Sequence, residues 1–409
     1  MSSEKMLAAP GSRSTPLLPN LSHTRKLLGL PTSFAQMLEQ MRSSLEIDLP
    51  LSRATTYKFN DLAGIQQVSQ KSRDKVTVFL QHAMLATNSP DLPTPNEQEY
   101  TGGASETGWI GVARALNQSR SNLKQWNYLI DFIEARIELE HDLLNQVSLS
   151  NSPQDIVFNN YIALLQSQTL IPESSLRCAH LILNEQRHSY SEEDIALWLC
   201  HSRLDFYFST IALLELGWLD LLRQISPEML ERKPLWFERG IMSSFIQPLV
   251  IEGDKVELKD SFDIFLKWLA DDIGTSPSKN RITLNKMASY IPIDKIDETA
   301  NGYDLGEKRR DLLKDWRKGK LPSYSKFRGF IEKLRSARQS SVEVDFLTDI
   351  GMAVMAIDRL FLEIFEDLEH SQSIQCQSTQ CFQAFNRSIV RYPEYYRYFQ
   401  ASYSKKQGA

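Results

Sequence analysis

Residues 307–338 read EKRRDLLKDWRKGKLPSYSKFRGFIEKLRSAR and hold twelve Lys or Arg against four Asp or Glu. The local net charge is therefore +8, in a chain of 409 residues whose formal net charge is −5 at pH 7. Within this basic block, Leu312, Leu313 and Trp316 form one apolar stripe. The stripe ends at Gly319, the residue type expected just past a helix C-terminus. The first part of the block is thus predicted to be a helix.

A second helix is predicted to follow a short turn. Pro322 stops continuation of the first helix, and Ser323 offers a side-chain oxygen to cap the next one. The spacing i, i+3, i+4, i+7, typical of one helix face, is followed by Phe327, Phe330, Ile331 and Leu334. The basic block is therefore predicted to be two helices joined by a short turn.

The order of helix, Trp-x-x-Gly, Pro-Ser turn and helix resembles the third and fourth helices of phage-repressor-type (Xre/Cro-like) helix-turn-helix domains. The residues that carry the resemblance are Leu313, Trp316, Gly319, Pro322, Ser323, Phe327 and Ile331. Upstream, residues 283–291 are similar to the second helix of that family, with Leu284, Met287 and Ala288 as the packing face. The resemblance covers about residues 282–336. It departs from the family at residues 292–305, because the family joins these two helices by only a few residues.

The resemblance implies that the helix from about Glu307 to Lys318 enters the major groove of double-stranded DNA. The side chains near the N-terminus of that helix would then contact bases, and the resemblance implies that these are Arg309, Arg310 and Lys314. Around the turn, the residues implied to contact phosphates are Lys318, Lys320, Lys326 and Arg328. Phosphate contacts add salt-sensitive affinity without sequence information. Trp316 is expected to be structural.

Two alternatives stay open for this chain. In the first, the basic block is a solvated helical hairpin that meets acidic surfaces of its own chain or of a partner, as in a protein-interaction scaffold without DNA binding. In the second, the chain is a di-metal helical-bundle enzyme. The Glu-x-x-His spacing of Glu138 and His141, repeated in Glu185 and His188, places two ligand types on one helix face. Such spacings also arise by chance among many acids.

Apart from this di-metal alternative, no residue set predicts a catalytic, metal or cofactor site. Asp367 and His370 repeat the metal-type spacing more weakly, and neither Cys178 with His180 nor Cys200 with His201 has a recognised zinc-ligand spacing. Cys376 and Cys381 lie in a polar stretch with nothing nearby in sequence that lowers a thiol pKa. The sequence also lacks the Walker, dinucleotide-binding, nucleophile-elbow and zinc-protease motifs.

The helical spacing of apolar residues predicts a mostly α, multi-lobed helical protein with one short β-hairpin near residues 248–258. The predicted organisation, in chain order, is a disordered tail (1–30), an N-terminal helical domain (31–225), a helical region with the hairpin (226–275), the basic module (276–340) and C-terminal helices (341–409). A Pro- and Gly-rich loop is predicted over residues 87–108.

Composition restricts the class of protein. Charged residues make up 24% of the chain and the mean hydropathy is −0.33, which argues against a membrane protein. Four cysteines in a chain of this length indicate a reduced compartment, so a cytoplasmic location is expected. Beyond DNA, the expected partners are a protein bound by the N-terminal helical lobe and a second copy of the chain bound through the C-terminal helices.

Overall fold

The computed structural model of the protein describes residues 18–19, 21–28, 33–60, 62–87, 106–118, 120, 124–149, 154–183, 191–225, 227–232, 235–246, 250–252, 255–257, 260–272, 282–293, 305–338, 340, 342–370 and 378–407. These residues are mostly helical, which confirms the mostly α part of the predicted fold class. The chain divides into two compact units, Met1–Pro153 (unit 1) and Gln154–Ala409 (unit 2).

Unit 1 is a helical unit whose second helix begins where Ser33 accepts a hydrogen bond from the Gln36 N–H at 3.2 Å. Its apolar core contains Phe34, Leu38, Leu49, Phe59, Val68, Val76, Phe79 and Leu80. The helices are α1 (Leu21–Leu27), α2 (Phe34–Leu45), α3 (Arg53–Tyr57), α4 (Leu62–Gln66), α5 (Gln70–Thr87), α6 (Glu106–Gln118) and α7 (Asn127–Leu149), with 3₁₀ turns at Lys58–Asn60 and Lys124–Trp126.

The stretch predicted as a disordered tail contains part of unit 1. Helix α1 lies within it, and the side chains of Leu18 and Leu21 are buried. Trp109 donates its indole N–H to the carbonyl of Pro19 at 3.2 Å. These buried contacts with residues far along the chain explain the difference, because a composition-based prediction of disorder cannot see them. Residues 1–17 lie outside the described residues.

Unit 2 contains the basic block. Its helices are α8 (Gln154–Gln168), α9 (Glu173–Leu183), α10 (Glu192–Ile225), α11 (Pro227–Arg232), α12 (Leu235–Arg239), α13 (Ser261–Asp272), α14 (Leu284–Ala288), α15 (Leu305–Arg317), α16 (Tyr324–Arg338), α17 (Val344–His370), α18 (Ser378–Ile389) and α19 (Tyr392–Gln407). A 3₁₀ turn spans Met242–Ser244.

Helix α10 is the centre of unit 2, and most of its side chains between His201 and Leu222 are buried. It begins with a capping box: Ser191 Oγ accepts from the Asp194 N–H, and Asp194 accepts from the Ser191 N–H, both at 3.2 Å. Helix α10 packs against α9, α18 and α19. The predicted domain boundary at residue 225 would place α10 and these C-terminal helices in different domains. Because they pack together, the two compact units divide before α8 instead.

Two short strands lie in the segment predicted to be a hairpin. They are β1 (Val250–Glu252) and β2 (Lys255–Glu257), and they pair antiparallel with Ile251 opposite Val256. The two residues between them lie outside the described part of the chain. Within the described ranges, no helix is long and apolar enough to cross a membrane.

Candidate nucleic-acid interface

Helices α15 and α16 are held together by an aromatic contact. Trp316 of α15 is buried and meets Phe327 and Phe330 of α16 edge-on, with ring centroids 5.7 Å apart in both pairs. Leu313, one turn before Trp316, is buried as well. The apolar stripes predicted from the sequence therefore face each other, and Trp316 has the structural role expected of it.

The turn after α15 is a Schellman motif. The Lys320 N–H donates to the carbonyl of Asp315 at 3.1 Å, and the Gly319 N–H donates to the carbonyl of Trp316 at 3.0 Å. Gly319 has a φ of +85°, the left-handed conformation that this position requires. Ser323 then accepts a hydrogen bond from the Lys326 N–H at 3.4 Å, at the start of α16. The sequence predicted both the Gly319 stop and the Ser323 cap.

Helix α14 packs against α15, as the second helix of a helix-turn-helix unit would. It is only five residues long and begins where Thr283 accepts a hydrogen bond from the Lys286 N–H at 3.3 Å. Met287, Ala288 and Ile291 are buried. The connection to α15, the segment in which the sequence departs from the helix-turn-helix family, is described only as far as residue 293.

The structure separates the three residues predicted to contact bases. Arg309 is half-buried, and its Nε donates to the carbonyl of Ile291 at 3.0 Å, which joins the end of the α14 segment to α15. Arg310 and Lys314 are exposed, one helical turn apart. Two of the three predicted residues thus share the outer side of α15, whereas Arg309 connects helices.

The residues predicted to contact phosphates also differ in their surroundings. Lys318 is exposed and Lys326 is half-buried. Lys320 Nζ lies 3.0 Å from Asp315 Oδ2, in a pair whose two side chains are largely exposed. Arg328 Nε donates to Asp345 Oδ1 at 2.6 Å, and this hydrogen bond raises the pKa of Arg328. Arg328 therefore links α16 to the first turn of α17.

Arg317 and Arg338 join the basic block to α13. The sequence left open that the block contacts its own chain, but it did not single out these two residues. Arg317 Nε and Nη2 donate to the two carboxylate oxygens of Asp263 at 2.5 and 2.6 Å. Arg338 Nη2 donates to the carbonyl of Ala270 at 3.0 Å. The acceptors lie 54 and 68 residues away in sequence, so no local pattern could have identified them. Several arginines of the block thus stabilise unit 2 itself.

The outer face of α15 lies opposite Leu313 and Trp316 and carries charges of both signs. Its exposed side chains are Glu307, Arg310, Asp311, Lys314 and Lys318. Side chains three and four residues apart are neighbours on a helix, so acids and bases alternate along this face. We call this set the outer face of α15. Its three basic and two acidic side chains give a net charge of 3 − 2 = +1, against +8 for the whole block.

The metal-type spacings do not form a cluster in the described residues. His141 Nδ1 lies 2.5 Å from Glu106 Oε1 and its Nε2 lies 2.9 Å from Asn145, whereas Glu138 is exposed. Within the described ranges, no three His, Cys, Asp or Glu side chains are placed to hold a metal ion. The Glu185 and His188 pair and Cys376 lie outside those ranges, as do the side chains of Asp367, His370, His180 and Cys381.

Three of the remaining candidates, Cys178, Cys200 and His201, are buried. Burial raises the pKa of the Cys178 thiol to about 11 and lowers the pKa of His201 to about 4. His201 Nδ1 shares a hydrogen bond of 2.7 Å with Ser175 Oγ. Cys200 is a buried free cysteine. A neutral thiol and a neutral imidazole in the core of unit 2 fit packing better than nucleophilic chemistry.

No family model, no curated protein and no solved structure matches the chain.

Proposed function

We propose that residues 282–338 form a DNA-binding module in which the outer face of α15 enters the major groove. The observation that carries the proposal is the exposure of Arg310 and Lys314, one turn apart, on a helix whose opposite side is fixed by Trp316 and Arg309. A reading helix must be held rigidly while its polar side chains stay accessible. Helix α15 meets both requirements.

Phosphate contacts would come from the turn and from the start of α16. Lys318 is exposed, and the exposed pair of Lys320 with Asp315 contributes little to stability, so Lys320 can exchange its carboxylate for a phosphate. Lys326 and Arg328 are the third and fifth residues of α16. Each phosphate that is neutralised releases counterions, so the binding constant should fall as the salt concentration rises.

The proposal is tested with the full-length protein and a fluorescent DNA duplex. We expect the logarithm of the association constant to fall linearly with the logarithm of the salt concentration. The double variant Arg310→Ala with Lys314→Ala should bind at least about tenfold more weakly. The matched control is Lys71→Ala with Lys124→Ala, which removes two exposed positive charges from unit 1. No salt-dependent binding, or equal losses in the two double variants, would contradict the proposal.

A second candidate function is a protein-interaction scaffold, and it is favoured by the internal contacts of the block. Arg317, Arg328 and Arg338 all bind groups on other helices of unit 2. In a scaffold, Lys314 and its neighbours would meet an acidic protein surface instead of DNA. The same experiment separates the two candidates, because a scaffold does not bind the duplex.

Three expectations from the sequence stay predictions: a protein partner of the N-terminal lobe, self-association through the C-terminal helices, and a cytoplasmic location. The C-terminal helices α18 and α19 pack on α10 of their own chain.

A further inference from the structure

On the outer face of α15, basic side chains lie three and seven residues after an acidic one, so both kinds can reach neighbouring base pairs together. Arg310 and Lys314 are three and seven residues after Glu307, and Asp311 lies between them. All four side chains are exposed. If this face only supplied positive charge to phosphates, the two carboxylates would weaken binding. Their presence at the centre of the face therefore calls for a partner that offers hydrogen-bond donors as well as acceptors.

The major-groove edge of a G·C pair offers both. Guanine presents two acceptors, O6 and N7, which Arg or Lys can bind, and cytosine presents the N4 amino group, which donates to Asp or Glu. Adenine is read mainly by Asn or Gln, and the sequence of α15, LGEKRRDLLKDWR, contains neither. The only exposed apolar side chain of α15 that could meet a thymine methyl group is Leu305, at its first position.

The length of the face sets the size of the site. Glu307 and Lys314 are seven residues apart, which is about 10 Å along a helix. Base pairs are stacked about 3.4 Å apart along DNA, so a helix lying along the groove would cover about three of them. We infer that α15 recognises a short G·C-rich run in double-stranded DNA, with Arg310 and Lys314 donating to guanines and Glu307 and Asp311 accepting from cytosines. This inference rests on the proposed function.

The carboxylates also act against other sequences. Where an acceptor such as thymine O4 or adenine N7 faces them instead of the cytosine amino group, Glu307 and Asp311 are desolvated without a donor and lie near phosphates. Such unpaired groups lower affinity for the wrong partner more than for the right one. Removing one of them should therefore strengthen binding to A·T-rich DNA, whereas removing Arg310 should weaken binding to G·C-rich DNA.

The experiment compares two duplexes of equal length, identical except for a G·C-rich or an A·T-rich centre, by anisotropy with the full-length protein at one salt concentration. We expect the G·C-rich duplex to bind at least about fivefold more tightly. Arg310→Ala should reduce this ratio by weakening the G·C-rich complex, and Asp311→Ala should reduce it by strengthening the A·T-rich complex. Lys71→Ala, in unit 1, should leave the ratio unchanged.

Modified bases locate the contacts. Inosine in place of guanine keeps O6 and N7 in the major groove and removes only the minor-groove amino group, so affinity should be retained. Replacing guanine by 7-deazaguanine removes N7 and should reduce the affinity. Salt-dependent but equal binding to the two duplexes, or loss of affinity with inosine alone, would overturn the inference and leave the proposed function standing. Absence of salt-dependent binding to either duplex would overturn both.

Discussion

Tyr392 donates its hydroxyl hydrogen bond to Oε2 of Glu215 in the interior of unit 2, where both side chains are fully buried. The Met242 N–H donates to the other carboxylate oxygen at 3.2 Å. Burial raises the pKa of Glu215 to about 8, although the two hydrogen bonds act in the opposite direction. Helix α19, the 3₁₀ turn at Met242 and helix α10 thus meet at one ionisable group.

The stability of unit 2 should depend on the protonation of Glu215. Its ordinary pKa is 4.5, so between about pH 4.5 and 8 the folded protein binds a proton that the unfolded chain has released. The free energy of unfolding should therefore fall as pH rises through this interval, by up to about 1.4 kcal/mol per pH unit. Urea unfolding at several pH values measures the slope. Glu215→Gln should flatten it, whereas the exposed control Glu238→Gln should not; an unchanged slope in Glu215→Gln would contradict the assignment.

The contribution of each tyrosine hydroxyl of α19 to the unfolding free energy should depend on whether it donates to a buried carboxyl group. Tyr392 binds Glu215, and Tyr395 donates to Asp205 Oδ1 at 3.0 Å, also in the core. Removing either hydroxyl leaves a buried carboxyl group short of one donor, which costs about 1–3 kcal/mol. We expect this loss in the unfolding free energy of Tyr392→Phe and Tyr395→Phe. Tyr398→Phe changes an exposed side chain on the same helix and should be neutral. Equal effects in all three variants would argue against a role for these hydrogen bonds.

Two glycines with the same backbone conformation should respond differently to alanine. Gly240 has a φ of +80° and Gly319 a φ of +85°. A Cβ at Gly240 would lie 2.8 Å from Glu215 Oε2, whereas the nearest atom to a Cβ at Gly319 is 3.9 Å away. Gly319→Ala should lower the unfolding free energy by about 1 kcal/mol, because only the strain of the left-handed backbone is added. Gly240→Ala should cost about 3 kcal/mol or more, because steric overlap is added. Unfolding free energies that reverse this order would show that the Glu215 site can rearrange.

The features that the sequence predicts well are local. Gly319 and Ser323 act through hydrogen bonds that span five residues or fewer, so the residue type at one position carries most of the information. The apolar stripe ending at Trp316 is local in the same sense. Helix α10 is different, because its apolar residues on all sides predict burial without saying what covers it. Its partners α18 and α19 lie more than 150 residues later, and the predicted boundary at residue 225 missed them.

The site could be predicted only in part for the same reason. The twelve basic residues of the block look equivalent in sequence, yet Arg317 binds Asp263 while Lys314 faces outward. Which cation is engaged depends on the distance to acids on other helices, a quantity that spacing within the block does not contain. The separation of Arg309 from Arg310 follows from the packing of α14 on α15, which the sequence resemblance left open.

Asp358 should stabilise α13 as a cap from another helix. It lies on α17, and its two carboxylate oxygens accept from the Ser261 and Phe262 N–H groups, both at 2.7 Å. Asp358→Ala leaves these helix-terminal donors without their acceptor and should cost about 1–2 kcal/mol. Asp358→Asn keeps one oxygen and should cost less. Urea unfolding gives both values, and a larger cost for Asn than for Ala would contradict capping.

The same variants have a pH signature. Burial raises the pKa of Asp358 from 3.8 to about 7, against the hydrogen bonds from Ser261 and Phe262. Because the folded pKa is the higher one, this group adds stability at low pH that is lost as pH rises toward 7. Asp358→Asn cannot titrate, so its destabilisation relative to the native protein should be larger at pH 5 than at pH 7.5. A pH-independent difference would exclude Asp358 as a titrating cap.

Lys314 and Arg317 should separate DNA binding from stability, although they lie three residues apart on α15. Lys314 is exposed on the outer face, so Lys314→Ala should weaken duplex binding and leave the unfolding free energy within about 0.5 kcal/mol. Arg317 donates two hydrogen bonds to Asp263, and Arg317→Ala should lower the unfolding free energy by about 1 kcal/mol, as expected for a partly exposed pair. Arg317→Lys should not restore it, because lysine cannot reproduce the two-pronged geometry. If Arg317→Ala instead weakens duplex binding more than Lys314→Ala does, with stability unchanged, then Arg317 rather than Lys314 belongs to the DNA-contacting face.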